Sequence, residues 1–456
     1  MADLIAAPAT HEGTAAISVV RLSGEGAIRA AEQVFRPNGK KPLSAYGDRK
    51  LILGTLLDAE GEALDVCLCT VSRGPGSYTG EDTAELQCHG SPVVVAEAMR
   101  ALYAAGARQA LPGEFTQRAF LNGRLDLSQA EAVIDLIESE TAEAAKNAAG
   151  QLSGAVTRKV RDVLREMTAM AAHFHAAVDW PEEEIEPFEL EGYADTLNGA
   201  ASILRSLLDS FEAGRVLRRG VKCVLLGRPN AGKSSLLNAL AGFERVIVTP
   251  EAGTTRDTVE ESLRVGGVLL RLTDTAGVRE TEQQAEKLGV RRALEAAAEA
   301  DLVLAVFDGS EEMGAEDLQV LETAKQAEKT IALVNKCDLP GRIDEEKLCS
   351  VFKTVIRVSA RTGEGLDTLK NAVAVMFPQG SNAPRGEILT NARQAQAVRR
   401  ALEGILQAQE AARMGMTPDA VLVGLEEAME ELGRITGQTV SADVAEEIFR
   451  RFCVGK

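Results

Sequence analysis

Gly227-Arg228-Pro229-Asn230-Ala231-Gly232-Lys233-Ser234 is the stretch on which the reading of this chain turns. It follows an apolar run, Val221 to Leu226, that reads as a buried strand, and it opens into Ser235-Leu236-Leu237-Asn238-Ala239-Leu240, whose leucines recur at helical spacing. Strand, glycine-bounded loop and helix start, in that order, are the context a phosphate-binding loop requires. Glycines let backbone N–H groups turn inward around phosphate oxygens, and a helix N-terminus adds partial positive charge. The expected contacts are the backbone from Asn230 through Ser235, the Lys233 ammonium on the β and γ phosphates, and the Ser234 hydroxyl on Mg²⁺. The bare pattern arises by chance in roughly one or two per cent of chains this long, so alone it says only nucleotide phosphate.

Three later stretches narrow the nucleotide to guanine. Leu269 to Thr273 reads as a strand ending in Asp274-Thr275-Ala276-Gly277, where a carboxylate can hold Mg²⁺ through water and the Gly277 N–H can face a γ-phosphate. Ile331 to Val334 runs into Asn335-Lys336-Cys337-Asp338. Asp338 can accept two hydrogen bonds from the N1–H and the exocyclic amine beside it on guanine, a pair of donors that adenine cannot supply, and a carboxylate left unpaired rejects adenine. Val355 to Val358 leads to Ser359-Ala360, whose backbone N–H groups suit the guanine carbonyl.

A length of 456 residues exceeds one ordinary core and predicts two to four domains. No apolar run approaches the roughly 20 residues of a membrane span, and Met1 to Ala9 lacks a signal-peptide core, so a cytoplasmic protein away from membranes is expected. The seven cysteines are scattered without a C-x-x-C pair, which suits reduced thiols better than a disulfide framework or a zinc site. A net charge of −18 argues against gripping nucleic acid over a broad basic surface. Bound RNA would need a local patch or a partner to meet its phosphates, and excess acid also serves solubility.

Outward from the loop, Ala15 to Leu22, Leu51 to Leu57, Leu64 to Val71 and Thr83 to Cys88 read as strands, and Val93 to Ala105 as a helix after Ser91-Pro92. Glycine-rich Arg73 to Asp82 reads either as a long turn or as a ligand or partner loop. From Ser128 to Arg219 the pattern is helical, broken at Trp180-Pro181 and Glu182 to Glu184, a solvated helix start. His173 and His175, two apart, do not share a helix face, which disfavours a metal site. Val265-Gly266-Gly267-Val268 predicts a hairpin turn. Ser381 to Gly386 is a linker, after which helical periodicity resumes at Ala397 to Ala412, Ala420 to Ile435 and Ala442 to Phe452. Amphipathic helices on both sides of an intact nucleotide domain need cover for their apolar faces. The expected fold is therefore multidomain α/β plus all-α: an N-terminal α/β domain, then a discontinuous helical bundle with a Ras-like P-loop GTPase domain inserted into it.

The nucleotide motifs, with Gly253-Thr254-Thr255-Arg256-Asp257, resemble those of the Era-like bacterial GTPases. Val19 to Gly24, Tyr78 to Asp82, Pro112 to Asn122, Leu125-Asp126-Leu127 and Cys453-Val454-Gly455-Lys456 are together similar to the MnmE (TrmE) family of tRNA-modification GTPases. That resemblance implies domains at 1–118 (folate-binding and dimerising), 119–217 and 380–456 (helical), and 218–379 (GTPase). It also implies a homodimer and an FAD-containing partner, MnmG, in a heterotetramer. Together they install aminomethyl or carboxymethylaminomethyl groups on C5 of the wobble uridine of certain tRNAs.

By the same resemblance Arg21, Glu85, Arg124 and Lys456 contact a formyl-tetrahydrofolate, with Arg124 where the family often has Lys, and Cys453 matches a cysteine near that site. Val278, where Ras-like proteins carry a water-positioning Gln, cannot orient a nucleophile. The resemblance gives that role to Glu286, which is otherwise an exposed helix-start carboxylate. It further implies K⁺ held by oxygens of Asn230, Thr249, Glu251 and Thr254, with Thr255 completing the Mg²⁺ shell beside Ser234; Arg256 is the alternative source of positive charge. Two other readings stay open. A ribosome-assembly GTPase would want a basic RNA module such as a KH domain. A folate-dependent aminomethyltransferase would use GTP as a conformational signal.

Overall fold

The computed structural model describes residues 3–11, 13–179, 188–244, 261–272, 296–378, 384, 386–440, 442–450 and 452–455. The chain divides into two compact units, Met1–Ile134 with Ala149–Leu204 and Gln396–Lys456, and Asp135–Ala148 with Arg205–Ala395. Each is interrupted in sequence.

In the first unit, alternating apolar residues build β1 (Ile5–Pro8), β2 (Ala15–Ser23), β3 (Phe35–Pro37), β4 (Ile52–Leu57), β5 (Ala63–Ser72), β6 (Thr83–Gly90) and β7 (Arg108–Gln109). They form one sheet in the order β3-β4-β5-β6-β2-β1-β7, antiparallel throughout except for the β1–β7 pair. Val20, Leu22, Leu56, Cys67, Cys69 and Leu86 point to one face, where helices Ala27–Val34 and Pro92–Ala104 close the core. Register puts the alternate residues on the opposite face: Ile17, Leu53 and Val66 stand exposed there, and Arg21 lies directly across from Glu85. Four of these strands and the second helix match the expected spans to within two residues; β1, β3 and β7 were not anticipated.

Helices in this unit carry the bundle. Ala155–Asp179 packs along Pro418–Thr436, and Ala442–Phe449 sits on Glu114–Leu121 through Leu127, Ala130, Ala445, Phe449 and Phe452. The chain then runs back to the sheet. Val454 bridges Pro112, the Gly113 N–H donates to the Cys453 carbonyl at 3.3 Å, and Gly455 lies so close to the Pro8 carbonyl that a β-carbon would meet it at 2.0 Å.

The second unit holds β8 (Val221–Leu226), β9 (Glu261–Val265), β10 (Val268–Leu272), β11 (Leu302–Asp308), β12 (Thr330–Asn335) and β13 (Val355–Arg357). Their order is β13-β12-β11-β8-β10-β9, parallel except for the β9–β10 hairpin. Gly266 and Gly267 turn that hairpin at φ 60° and 83°, the two left-handed positions of a type I′ turn, as the sequence predicts. Strands buried on both faces read as continuous apolar runs, and all seven residues of β11 are buried. Segments 135–148, 205–219 and 386–395 complete the unit. Arg218 and the Thr390 hydroxyl both reach the Asp135 carboxylate at 2.8 Å, and Asn147 bonds the Gly386 N–H and the Ile388 carbonyl. Among the described residues no helix is long and apolar enough to cross a membrane.

Candidate functional site

In a parallel α/β sheet the loops at the strands' carboxyl ends converge. Here β8 delivers Gly227 to Ser234, β11 delivers Asp308, β12 delivers Asn335 to Asp338, and the chain after β13 delivers Ser359 and Ala360. Helix Lys233–Glu244 starts directly on the phosphate loop, so the N–H groups of its first turn emerge beside Ala231, Gly232 and the exposed Ser234 and Ser235. Asn230 (φ 63°) and Gly232 (φ 93°) supply the left-handed backbone that curls the loop. Lys233 lies back along it, its ammonium donating to the carbonyls of Gly227 (2.5 Å) and Arg228 (2.9 Å). Burial pushes its pKa down, opposed in part by Glu316. A phosphate anion beside the ammonium would reverse that shift.

Asn335 ties the two halves of the site together. Its Nδ2 donates to the Ala231 carbonyl at 2.8 Å and its Oδ1 accepts the Ala360 N–H at 3.1 Å, with the side chain buried. Asp338 accepts the Ser359 hydroxyl at 2.7 Å through one carboxylate oxygen, and the other lies 3.9 Å from Arg361. The expectation for Ser359 and Ala360 is narrowed. The Ser359 N–H donates to the Glu364 carbonyl at 2.9 Å, because the loop closes on itself there, which leaves the Ala360 N–H as the one a base carbonyl could take over from Asn335.

Thr249, Glu251, Thr254, Thr255, Arg256, Asp274, Thr275, Ala276, Gly277, Val278, Glu286 and Lys456 lie outside the described residues, as do Trp180 to Glu184.

A second cluster stands on the outer face of the first sheet. Arg21 Nε donates to Glu85 Oε1 at 2.8 Å, and its guanidinium lies 5.7 Å from the ring centres of both Tyr78 and Phe115. The Arg73–Asp82 loop is tied down around it: Ser23 bonds Thr79 and Glu81 at 2.7 Å, Arg118 meets Glu81 at 3.1 Å, and Asn122 donates to the Thr79 carbonyl at 2.7 Å. Arg124 is exposed, its side chain close to Gly80. Arg21, Glu85 and Arg124 are thus gathered about one loop that many fixed polar contacts tie down. Among the described residues no group of three His, Cys, Asp or Glu side chains could hold a metal; His173 instead bonds the Tyr193 hydroxyl at 2.5 Å.

Comparison with known proteins matches a family described as "MnmE helical domain" over residues 127–453 and one described as "GTP-binding protein TrmE N-terminus" over 4–124. Proteins named tRNA modification GTPase MnmE from Symbiobacterium thermophilum and Clostridioides difficile are 42% and 40% identical to this chain, covering 100% of it and 99% of their own length. The chain belongs to the MnmE family.

An MnmE-family chain is a tRNA modification GTPase, a hydrolase whose substrate is GTP. Among solved structures, the G domain of the T. maritima FeoB iron transporter aligns with 34% of this chain and 98% of its own length, at 31% identity and a TM-score of 0.27. In the MnmE-family chain described here, sequence reasoning missed one strand of the nucleotide unit and what it carries. β11 is an unbroken apolar run ending in Asp308-Gly309. Its Asp308 is buried and bonded to Lys336 at 2.5 Å and to Ser310, which overcomes the opposing effect of burial and holds the carboxyl below its ordinary range. Arg228, inside the quoted loop but given no role, pairs with Glu311 at 2.5 Å and with Asp317 at 3.3 Å.

Proposed function

We propose that this chain hydrolyses GTP with K⁺ stimulation and that hydrolysis serves the formation of 5-aminomethyl or 5-carboxymethylaminomethyl groups on the wobble uridine of certain tRNAs. The observation that carries the reading is the convergence of phosphate loop and base loop at one sheet edge, bridged by the buried Asn335. Domain limits of 1–118, 119–217, 218–379 and 380–456 go with it.

In this reading the backbone of Asn230 to Ser235 and the Lys233 ammonium hold the phosphates, with Thr275, Ala276 and Gly277 closing on the γ-phosphate. Asn335, Lys336, Asp338 and the Ala360 N–H hold the guanine, with the Ser359 hydroxyl orienting Asp338. The exposed Ser234 hydroxyl at a helix start suits Mg²⁺, and Ser234 and Thr255 would ligate it, with Asp274 reaching it through water. The left-handed, exposed Asn230 offers its side-chain oxygen, and Asn230, Thr249, Glu251 and Thr254 would hold K⁺. Both ions supply positive charge to the transferring phosphoryl group, the part an arginine finger plays elsewhere. Glu286 would orient the attacking water through a second water.

The Arg21–Glu85 pair, flanked by two rings, suits a flat heterocycle bearing carboxylates. Arg21, Glu85, Arg124 and Lys456 would hold a 5-formyl-tetrahydrofolate or a related folate. Exposed Ile17, Leu53 and Val66 on the same face support a homodimer through this sheet. The net charge of −18 suits a partner that supplies most of the tRNA contacts, and in this reading that partner is the FAD-containing MnmG, in a cytoplasmic heterotetramer. The test is mass spectrometry of wobble uridines in cells lacking the gene. Wild type should restore the modification and Asp274→Ala should not; restoration by Asp274→Ala would separate GTP hydrolysis from the modification.

A further inference from the structure

One buried carboxylate stands between the two nucleotide loops, and no nucleotide motif contains it. β11 runs between β8 and β12, and Asp308, its last residue, is register partner to Asn335. Its Oδ2 accepts from Lys336 Nζ at 2.5 Å and lies 3.7 Å from Arg228 Nη2, while its Oδ1 accepts the Ser310 N–H at 3.0 Å and the Ser310 hydroxyl at 2.6 Å. The carboxylate is 3% exposed. Arg228 belongs to the phosphate loop and Lys336 to the base loop, so two cations from opposite sides of the site share one fixed anion. Arg228 is held from behind as well, by Glu311 at 2.5 Å and by the buried Asp317 at 3.3 Å, whose other oxygen accepts the Gly314 N–H. Lys336 sits at φ 64°, a backbone state that a lysine adopts only when its surroundings hold it there.

We propose that Asp308 is a positioning residue for the guanine nucleotide: by anchoring Lys336 and Arg228 it fixes the spacing of base loop and phosphate loop, and so sets the affinity for GDP and GTP alike. The inference rests on the nucleotide-site reading above. Asp308 acts on the nucleotide at second hand, through Lys336 of the base loop and through the hold of Arg228 on the phosphate-loop backbone, so its loss should be felt in binding of both nucleotides and hardly in turnover. An asparagine keeps the shape and can still accept from Ser310, but it removes the charge and can turn an N–H towards the ammonium.

The experiment titrates fluorescent GDP and a fluorescent non-hydrolysable GTP analogue, with Mg²⁺, into full-length wild type, Asp308→Asn, Lys336→Met and the double variant, with GTP turnover and melting measured alongside. Asp308→Asn should weaken both nucleotides about tenfold or more, with kcat at saturating GTP within about twofold of wild type. The double variant should bind within about twofold of Lys336→Met alone, because the aspartate acts largely through that lysine. Wild-type affinity in Asp308→Asn, or fully additive losses in the double variant, would overturn the proposal. Should Asp308→Asn not fold, Ser310→Ala removes the hydroxyl that sets the carboxylate's orientation. It should weaken both nucleotides about threefold, and an unchanged affinity overturns the proposal equally. Failure of wild type itself to bind GDP would instead overturn the nucleotide-site reading beneath it.

Discussion

Gly232→Ala puts the smallest possible side chain into the phosphate loop and separates two effects. The residue sits at φ 93°, and a β-carbon there would lie 2.1 Å from Asn335 Nδ2. Asn335 is 2% exposed and engaged at both ends, so it cannot swing away without breaking its bonds to the Ala231 carbonyl and the Ala360 N–H. Holding alanine in the left-handed region costs about 1–2 kcal/mol, which appears as lost stability. Its stiffer unfolded chain offsets roughly 0.5 kcal/mol of that. The two displaced hydrogen bonds are worth about 1 kcal/mol each. Because they join the phosphate loop to the base loop, that roughly 2 kcal/mol should appear as nucleotide affinity, about a 30-fold loss. The assay is a titration of fluorescent GDP with Mg²⁺, with thermal melting in parallel. Gly242→Ala is the control: it lies in the helix that starts on the phosphate loop, with nothing within 4 Å of the added carbon, so it should bind like wild type and be stabilised by up to about 1 kcal/mol. Undiminished affinity in Gly232→Ala, or an equal loss in Gly242→Ala, would refute the reasoning.

Asp338→Asn exchanges an acceptor for a donor opposite the base, so preference should move from GTP to xanthosine triphosphate in competition binding; an unchanged preference would remove Asp338 from the base site. GTP hydrolysis should run faster in KCl than in NaCl at equal ionic strength, and equal rates would displace K⁺ from the mechanism. Glu114 is buried against Arg108 (2.6 Å) and Arg118 (2.8 Å). Burial alone would raise its pKa, but these partners and the Leu111 N–H hold it below the ordinary value, and Arg108 with Arg118 lowers that of Asp3 as well. Folded values below unfolded ones mean that this stabilisation is complete above about pH 4.5 and is lost as the pH falls through the folded values. Glu114→Gln should therefore lower the melting temperature at neutral pH, by the equivalent of about 3 kcal/mol, and flatten the acid limb of the stability profile. An acid limb as steep as that of wild type would contradict the assignment.

What the sequence reveals about this fold follows the range of the forces involved. Strands of the nucleotide unit that end in a motif were legible because the loop chemistry marks their ends: Val221–Leu226 was expected to the residue, and Val355–Arg357 to within one. The outer sheet's alternation made β2, β4, β5 and β6 readable for the same local reason. β1, β3 and β7, of four, three and two residues, are too short to display a period. β11 is different: its pattern is plain, six apolar residues in a row, but a continuous run fits a buried helix as well as a strand. Asp308 at its end lies 28 positions from Lys336 and 80 from Arg228. The Arg21–Glu85 pair spans 64 positions and exists only through strand register. Cations and anions carry no signal of whom they will meet, so a charged residue outside a motif reads as surface until the sheet order is known. Sheet order here comes from the parallel winding, with β11 between β8 and β12, and that single topological fact brings Asp308 against Lys336 of one loop and Arg228 of another.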